Sequence, residues 1–168
     1  TGLAPFECWL LLRGIQTLDL RLERQQKNTL KIAQFLKNRP EVTKIYTPAL
    51  PCHPGHLVHH EQANGPGTVI SFETGSESLS KYLVEETNLF IISVSFGSTK
   101  SLISLPCYMS HASIPKEKRR LPCNLVRIST GIEDADDLID DLRLAFDGYQ
   151  KKTKISDLIG IVKEKSVV

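Results

Sequence analysis

No stretch of this sequence approaches the roughly 20 consecutive apolar residues that cross a bilayer. Cysteine is scarce and badly spaced for metal: Cys8, Cys52, Cys107 and Cys123 are the only four, and no two of them form a C-x-x-C pair. A chain of this length builds a core without staples, so the four read as reduced thiols of an intracellular protein. Charge of one sign is lacking too. The net charge of +2 is too small to argue for nucleic acid or a membrane surface as a partner. Repeats and low-complexity segments are absent. The chain opens on Thr1 rather than Met and carries neither a basic n-region nor a leader, which predicts that something ahead of it was removed.

What is present fits one soluble α+β domain of 168 residues. Leu10, Leu11, Ile15, Leu18, Leu22, Leu30, Ile32, Ala33 and Leu36 recur at helical spacing from Phe6 to Asn38. Pro5 suits the start and Pro40 the stop. Gly14 is a weak point where this helix bends or divides. At about 45 Å, by 1.5 Å per residue, it is longer than a small domain needs, so it is expected to pack on something further. Strands are expected over Val42–Tyr46, Gly67–Thr74, Phe90–Phe96 and Leu125–Ser129. Thr47–Pro66, rich in Pro, Gly and His, reads as loop. Helices are expected over Ser76–Thr87, with Ser76 as N-cap, and over Asp134–Tyr149, opened by acidic residues. The elements predict a small antiparallel sheet with helices packed on it. Residues 1–40 form the long helical region, 41–149 the small domain and 150–168 a tail: a short docking helix or strand, or a frayed end.

Few residues suggest chemistry. Cys52, His53, His56, His59 and His60 are metal-ligand types, but they lack the second pair of a zinc spacing and better suit a solvent-facing loop. Arg127 stands in the middle of an apolar strand, where a guanidinium needs an anion or water. Its planar fork matches a carboxylate. The partner is either a substrate or a nearby acid such as Glu133, Asp134 or Asp136. Ser93-Val-Ser95-Phe-Gly97-Ser98 follows a buried strand and can offer N–H groups and hydroxyls to an anion. The run Glu133-Asp134-Ala-Asp136-Asp137 suits a helix start better than a cation. No paired carboxylates, phosphate loop or nucleophile triad stands out.

Five ordered motifs then carry a resemblance: Pro5-Phe-Glu-Cys-Trp-Leu-Leu-Leu-Arg-Gly14, the Pro-x-His-Pro-x-His loop from Pro51, Gly67-Thr-Val-Ile-Ser-Phe-Glu73, Val94-Ser-Phe-Gly97 with Met109-Ser-His-Ala-Ser113, and Leu125-Val-Arg-Ile-Ser-Thr-Gly-Ile-Glu-Asp134. Over residues 2–149 the chain resembles the C-terminal part of the Cys/Met metabolism family of pyridoxal-phosphate (PLP) enzymes. The stretch Val94–Cys107 is most similar to the plant-type cystathionine β-lyase branch. The resemblance implies the small domain of the aspartate-aminotransferase fold (fold type I). It implies that the cofactor, its linking lysine and its phosphate site lie in a larger domain upstream. Ser98-Thr-Lys100 is the nearest approach to the linking motif and lacks its leading Ser. By the same resemblance Arg127 grips the substrate α-carboxylate and Ser95 adds a second contact to it. Ser110 places a hydroxyl near the substrate, and Val94 influences substrate choice. The His loop becomes a family loop without a metal.

The implied whole is a PLP-dependent carbon–sulfur lyase of transsulfuration and methionine biosynthesis. It would turn a thioether amino acid such as cystathionine into homocysteine, pyruvate and ammonia. It would be a homotetramer, cytoplasmic or organellar, with no membrane or nucleic-acid partner. This chain alone would be inactive. The alternatives are a γ-lyase or γ-synthase of the same family, or a non-catalytic interaction domain derived from it. One departure stands out: Pro122-Cys123-Asn124 replaces a longer, Gly-containing approach to Arg127 and is expected to shift it.

Overall fold

The computed structural model describes residues 2–110, 112–115, 118 and 120–165, and side chains as far as residue 155. The long N-terminal pattern divides in two: α1 (Pro5–Ile15) and α2 (Leu18–Lys37). The break falls at Gln16-Thr17, just past Gly14. There the Gly14 carbonyl accepts from the Thr17 hydroxyl at 3.4 Å and from Arg21 Nη2 at 2.7 Å. Those side chains take over a carbonyl that a continuous helix would have satisfied from its own backbone.

Five strands follow in a sheet ordered β1-β2-β5-β4-β3. They are β1 (Lys44–Tyr46), β2 (Val69–Glu73), β3 (Ile91–Ile92), β4 (Leu102–Ser104) and β5 (Leu125–Ser129). The α+β class holds, with one correction to the expected antiparallel sheet: β3 runs parallel to β4, so the sheet is mixed. The predicted strand Phe90–Phe96 stops at Ile92 because the chain leaves the sheet as a loop and re-enters in the same direction as β4. That second strand was not foreseen. Inside the predicted loop 47–66 a short helix forms, α3 (His56–Gln62).

Helices α2, α4 (Glu77–Glu86) and α5 (Ala135–Lys165) carry the core. Ile32, Leu36, Leu83, Leu138, Leu142 and Phe146 pack on Ile70, Phe72, Val126 and Ile128 of the sheet. Ser76 caps α4 as expected, accepting from the Leu79 amide at 3.4 Å. On α5 the buried Asp141 accepts from the Asn88 and Leu89 amides at 2.8–3.0 Å, fixing the approach to β3. The tail assigned to 150–168 continues α5 to Lys165; residues 166–168 lie outside the described residues.

The predicted apolar stripe of the first helix is corrected as well. The buried face of α2 is Gln25, Asn28, Thr29, Ile32, Ala33 and Leu36. Leu10, Leu11, Ile15, Leu18, Leu22 and Leu30 are exposed, and α1 buries no residue.

Candidate functional site

Period-two alternation decides where Arg127 points. Val126 and Ile128 turn into the helix-covered core, so Arg127 turns to the opposite face of the sheet. It is the centre of β5, flanked in register by Ser71 of β2 and Ser104 of β4. Tyr46 and Leu125 share this face by register. The expected shift of Arg127 by the short approach does not break its pairing on either side. Asn124 is anchored instead: its carbonyl accepts from the Ser80 hydroxyl at 2.7 Å and the Thr74 amide at 3.4 Å.

The acids offered by the sequence do not pair with Arg127. Glu133 accepts from Ser101, Asp134 meets Arg24 at 3.3 Å and Asp136 meets Lys31 at 3.2 Å. The Asp136 amide, ahead of Arg24, holds the Asp134 carboxyl below its ordinary range. Arg127 Nη2 donates to the carbonyls of Val94 at 2.5 Å and Ser95 at 3.4 Å. The guanidinium carbon lies 5.8 Å from the Phe96 ring centre. Its Nε–H and Nη1–H have no acceptor among the described residues. Half-buried, always charged and held from one edge, this fork is available to an anion from outside.

The 93–98 turn provides that edge. Gly97 adopts φ +79°, a backbone region that disfavours a Cβ, and its amide donates to the Ser129 hydroxyl at 3.1 Å. The Ser95 amide donates to the Ser93 hydroxyl at 3.2 Å. Val94, Ser95 and Phe96 are exposed. Ser110 is exposed too, in the turn after β4, with its hydroxyl 3.5 Å from the Pro106 carbonyl. The structure thus brings Val94 and Ser95 to Arg127. It places Ser110 in the excursion that follows Ser104 of β4, with its hydroxyl on the Pro106 carbonyl rather than hydrogen-bonded to the guanidinium.

A second layer of residues escaped the sequence reading. Gln25 Nε2 donates to the Ser98 carbonyl at 2.7 Å. Asn28 Nδ2 donates to the carbonyls of Gly131 at 3.1 Å and Glu133 at 2.8 Å. The Ser101 amide and hydroxyl both donate to Glu133, at 2.8 and 3.0 Å. These groups lock the loop after β3 to the loop after β5. The signal was there: Gln25 and Asn28 precede Ile32 and Leu36 by whole helical turns, so they had to face inward.

The histidine loop is held by backbone groups. The His53 ring accepts from the Gly55 amide, while His56 and His59 contact the Pro48 and Gly65 carbonyls at 2.7 Å. Among the described residues no group of three His, Cys, Asp or Glu side chains converges to hold a metal. No described helix is long and apolar enough to cross a membrane.

The fold is an α+β domain whose central strand carries a half-buried arginine with open donors among the described residues. Comparison places it more closely. Residues 1–147 match the family described as Cys/Met metabolism PLP-dependent enzyme, and the chain belongs to that family. It is 62% identical over 149 residues to the chloroplastic cystathionine beta-lyase of Arabidopsis thaliana, covering 87% of this chain and 32% of that protein. The chloroplastic cystathionine beta-lyase of Mimosa pudica is 59% identical over 145 residues, covering 84% of this chain and 32% of its own length. Among solved structures, cystathionine gamma-lyase from Lactobacillus plantarum, complexed with L-serine, superposes with a TM-score of 0.82 at 39% identity, covering 88% of this chain and 40% of that one. The chain therefore spans about a third of the curated relatives it matches.

No lysine whose side chain is described is buried as an imine-forming lysine of this family's cofactor would be expected to be. A lysine that forms an imine needs a lowered pKa, usually through desolvation or a cationic neighbour. Lys27, Lys31, Lys37, Lys44, Lys100, Lys118, Lys151, Lys152 and Lys154 are exposed, and Lys81 pairs with Glu77 at 2.6 Å. Lys44 moves the wrong way, its pKa raised by the Tyr46 hydroxyl.

Proposed function

We propose that this chain is the substrate-carboxylate-binding part of a longer PLP-dependent cystathionine β-lyase. The longer protein would split cystathionine into homocysteine, pyruvate and ammonia, a step of methionine biosynthesis. One observation supports this above the rest: Arg127 is braced by the Val94 and Ser95 carbonyls, with two faces of its fork unclaimed and no carboxylate partner among the described residues. PLP, seated in the remainder of the longer protein, would supply the electron sink for the substrate carbanion.

The residues of this chain do the positioning. Arg127 takes the α-carboxylate bidentately and fixes the orientation of the α-carbon. Ser95 offers a second contact from the same turn. Val94 borders the space beside it and biases which side chain fits, and Ser110 adds a hydroxyl from the next excursion. An organellar setting follows the plant relatives, and a homotetramer is the assembly the reading carries. Without the remainder, this chain is inactive.

Arg127→Lys in the longer enzyme tests the reading. Losing charge-assisted bonds of about 1.5–3 kcal/mol raises KM for cystathionine roughly tenfold to a hundredfold, with a smaller change in kcat. An unchanged KM overturns the assignment. Release of pyruvate from the unmodified enzyme supports β-elimination; release of 2-oxobutyrate moves it to the γ-type chemistry of its sister enzymes.

A further inference from the structure

The excursion between β4 and β5 is pinched at its base by two thiols that the site does not use. Cys107 and Cys123 bring their sulfurs to 2.9 Å, whereas bonded sulfurs lie about 2.05 Å apart. Closure therefore asks for less than about 1 Å of sulfur movement. Both thiols sit on fixed backbone. The turn holding Cys107 is set by the Tyr108 and Met109 amides, each 3.0 Å from the Leu105 carbonyl. The residue after Cys123 is Asn124, whose carbonyl is anchored by Ser80 and Thr74. Cys107 is fully buried and Cys123 half-buried.

We propose that Cys107 and Cys123 are a modification site: a dithiol pair that a small-molecule disulfide of the glutathione type oxidises to an intramolecular disulfide. The half-buried Cys123 thiolate attacks the oxidant's disulfide, forming a mixed disulfide and releasing one small thiol. The Cys107 sulfur then attacks Cys123 Sγ and expels the second small thiol. Two protein S–H bonds are lost, one S–S bond forms, and both electrons reside in the two small thiols released. Exposure selects Cys123 as the entry point and proximity selects Cys107 as the resolving partner. The Cys123 thiol is raised, chiefly by its hydrogen bond with Cys107, so the exchange is slow at neutral pH and quickens as pH rises. The bridge ties the base of the excursion carrying Ser110 to the approach of the strand carrying Arg127.

The test is oxidation of the intact chain with glutathione disulfide, alkylation of remaining thiols, and tryptic mapping without reductant. The expected product has lost about 2 Da, two hydrogens, and yields the peptide Leu121–Arg127 linked to Ser101–Lys116. Dithiothreitol reverses it, and Tm falls on reduction. Cys123→Ser, at a half-buried position, leaves the fold intact and abolishes the linked peptide. Recovery of the two peptides separately, both alkylated, overturns the proposal. So does recovery of Cys123 as a stable mixed disulfide beside an alkylated Cys107.

Discussion

Ser101 gives both its backbone N–H and its hydroxyl to the carboxylate of Glu133, 32 residues further along the chain. Its hydroxyl oxygen also accepts the Gly131 amide at 2.9 Å. One buried serine thereby closes the loop leading from Arg127's strand onto the loop that touches Arg127.

Ser101→Ala removes the hydroxyl and leaves the buried Gly131 amide without its acceptor. Stability in a denaturant titration is expected to fall by about 1–3 kcal/mol. Leu22→Ala, on the exposed side of α2, is the control and stays within about 0.5 kcal/mol. Equal losses at the two positions would dismiss the buried network as the holder of these loops.

Asp134 makes acid stability depend on pH in a stated direction. Its carboxyl is depressed in the folded chain, first by the Asp136 amide. Its contribution is complete above the ordinary carboxylate pKa and is lost as pH falls through the folded value. Asp134→Asn should lower Tm most above about pH 5, and the difference should shrink as pH falls through and below the ordinary carboxylate range. A difference that widens toward acid contradicts this account of the α5 start.

Titrating pyridoxal phosphate into the purified chain should give no saturable visible absorbance band. Every lysine whose side chain is described is exposed or ion-paired, so none is desolvated as an imine-forming lysine usually is. A stoichiometric band would mean that a lysine of these residues holds the cofactor.

Much of this architecture was written locally. The alternation around Val126 and Ile128 predicted β5 and exposed Arg127 as the odd residue, and Ser76 marked the start of α4. The misses share a cause: they were settled by tertiary partners. Ile91–Phe96 has strand composition throughout, yet Gly97's positive φ and the Gln25 contact to Ser98 draw the chain off the sheet after Ile92. Glu133 looked like a helix-start acid or a mate for Arg127, and no local pattern reveals that Ser101 claims it. On α2 the helical spacing that buries Ile32 and Leu36 also turns Gln25 and Asn28 inward; what no local pattern gives is the loop carbonyls that accept from them.

Helix α1 has no buried side chain, and Phe6 and Trp9 are 65% and 55% exposed. An eleven-residue helix is too short to persist on propensity alone, since isolated helices below about 12–15 residues are marginal in water. In this chain by itself, the two helices that meet at Gln16-Thr17 therefore belong to different regimes of opening. Amides of the buried stretch of α2, from Gln25 to Leu36, are expected to exchange with solvent only when the body unfolds, whereas those of α1 exchange at the rate of a fraying end. A single chain is thus expected to report two free energies, one near zero and one global, with the boundary between them ahead of Gln25.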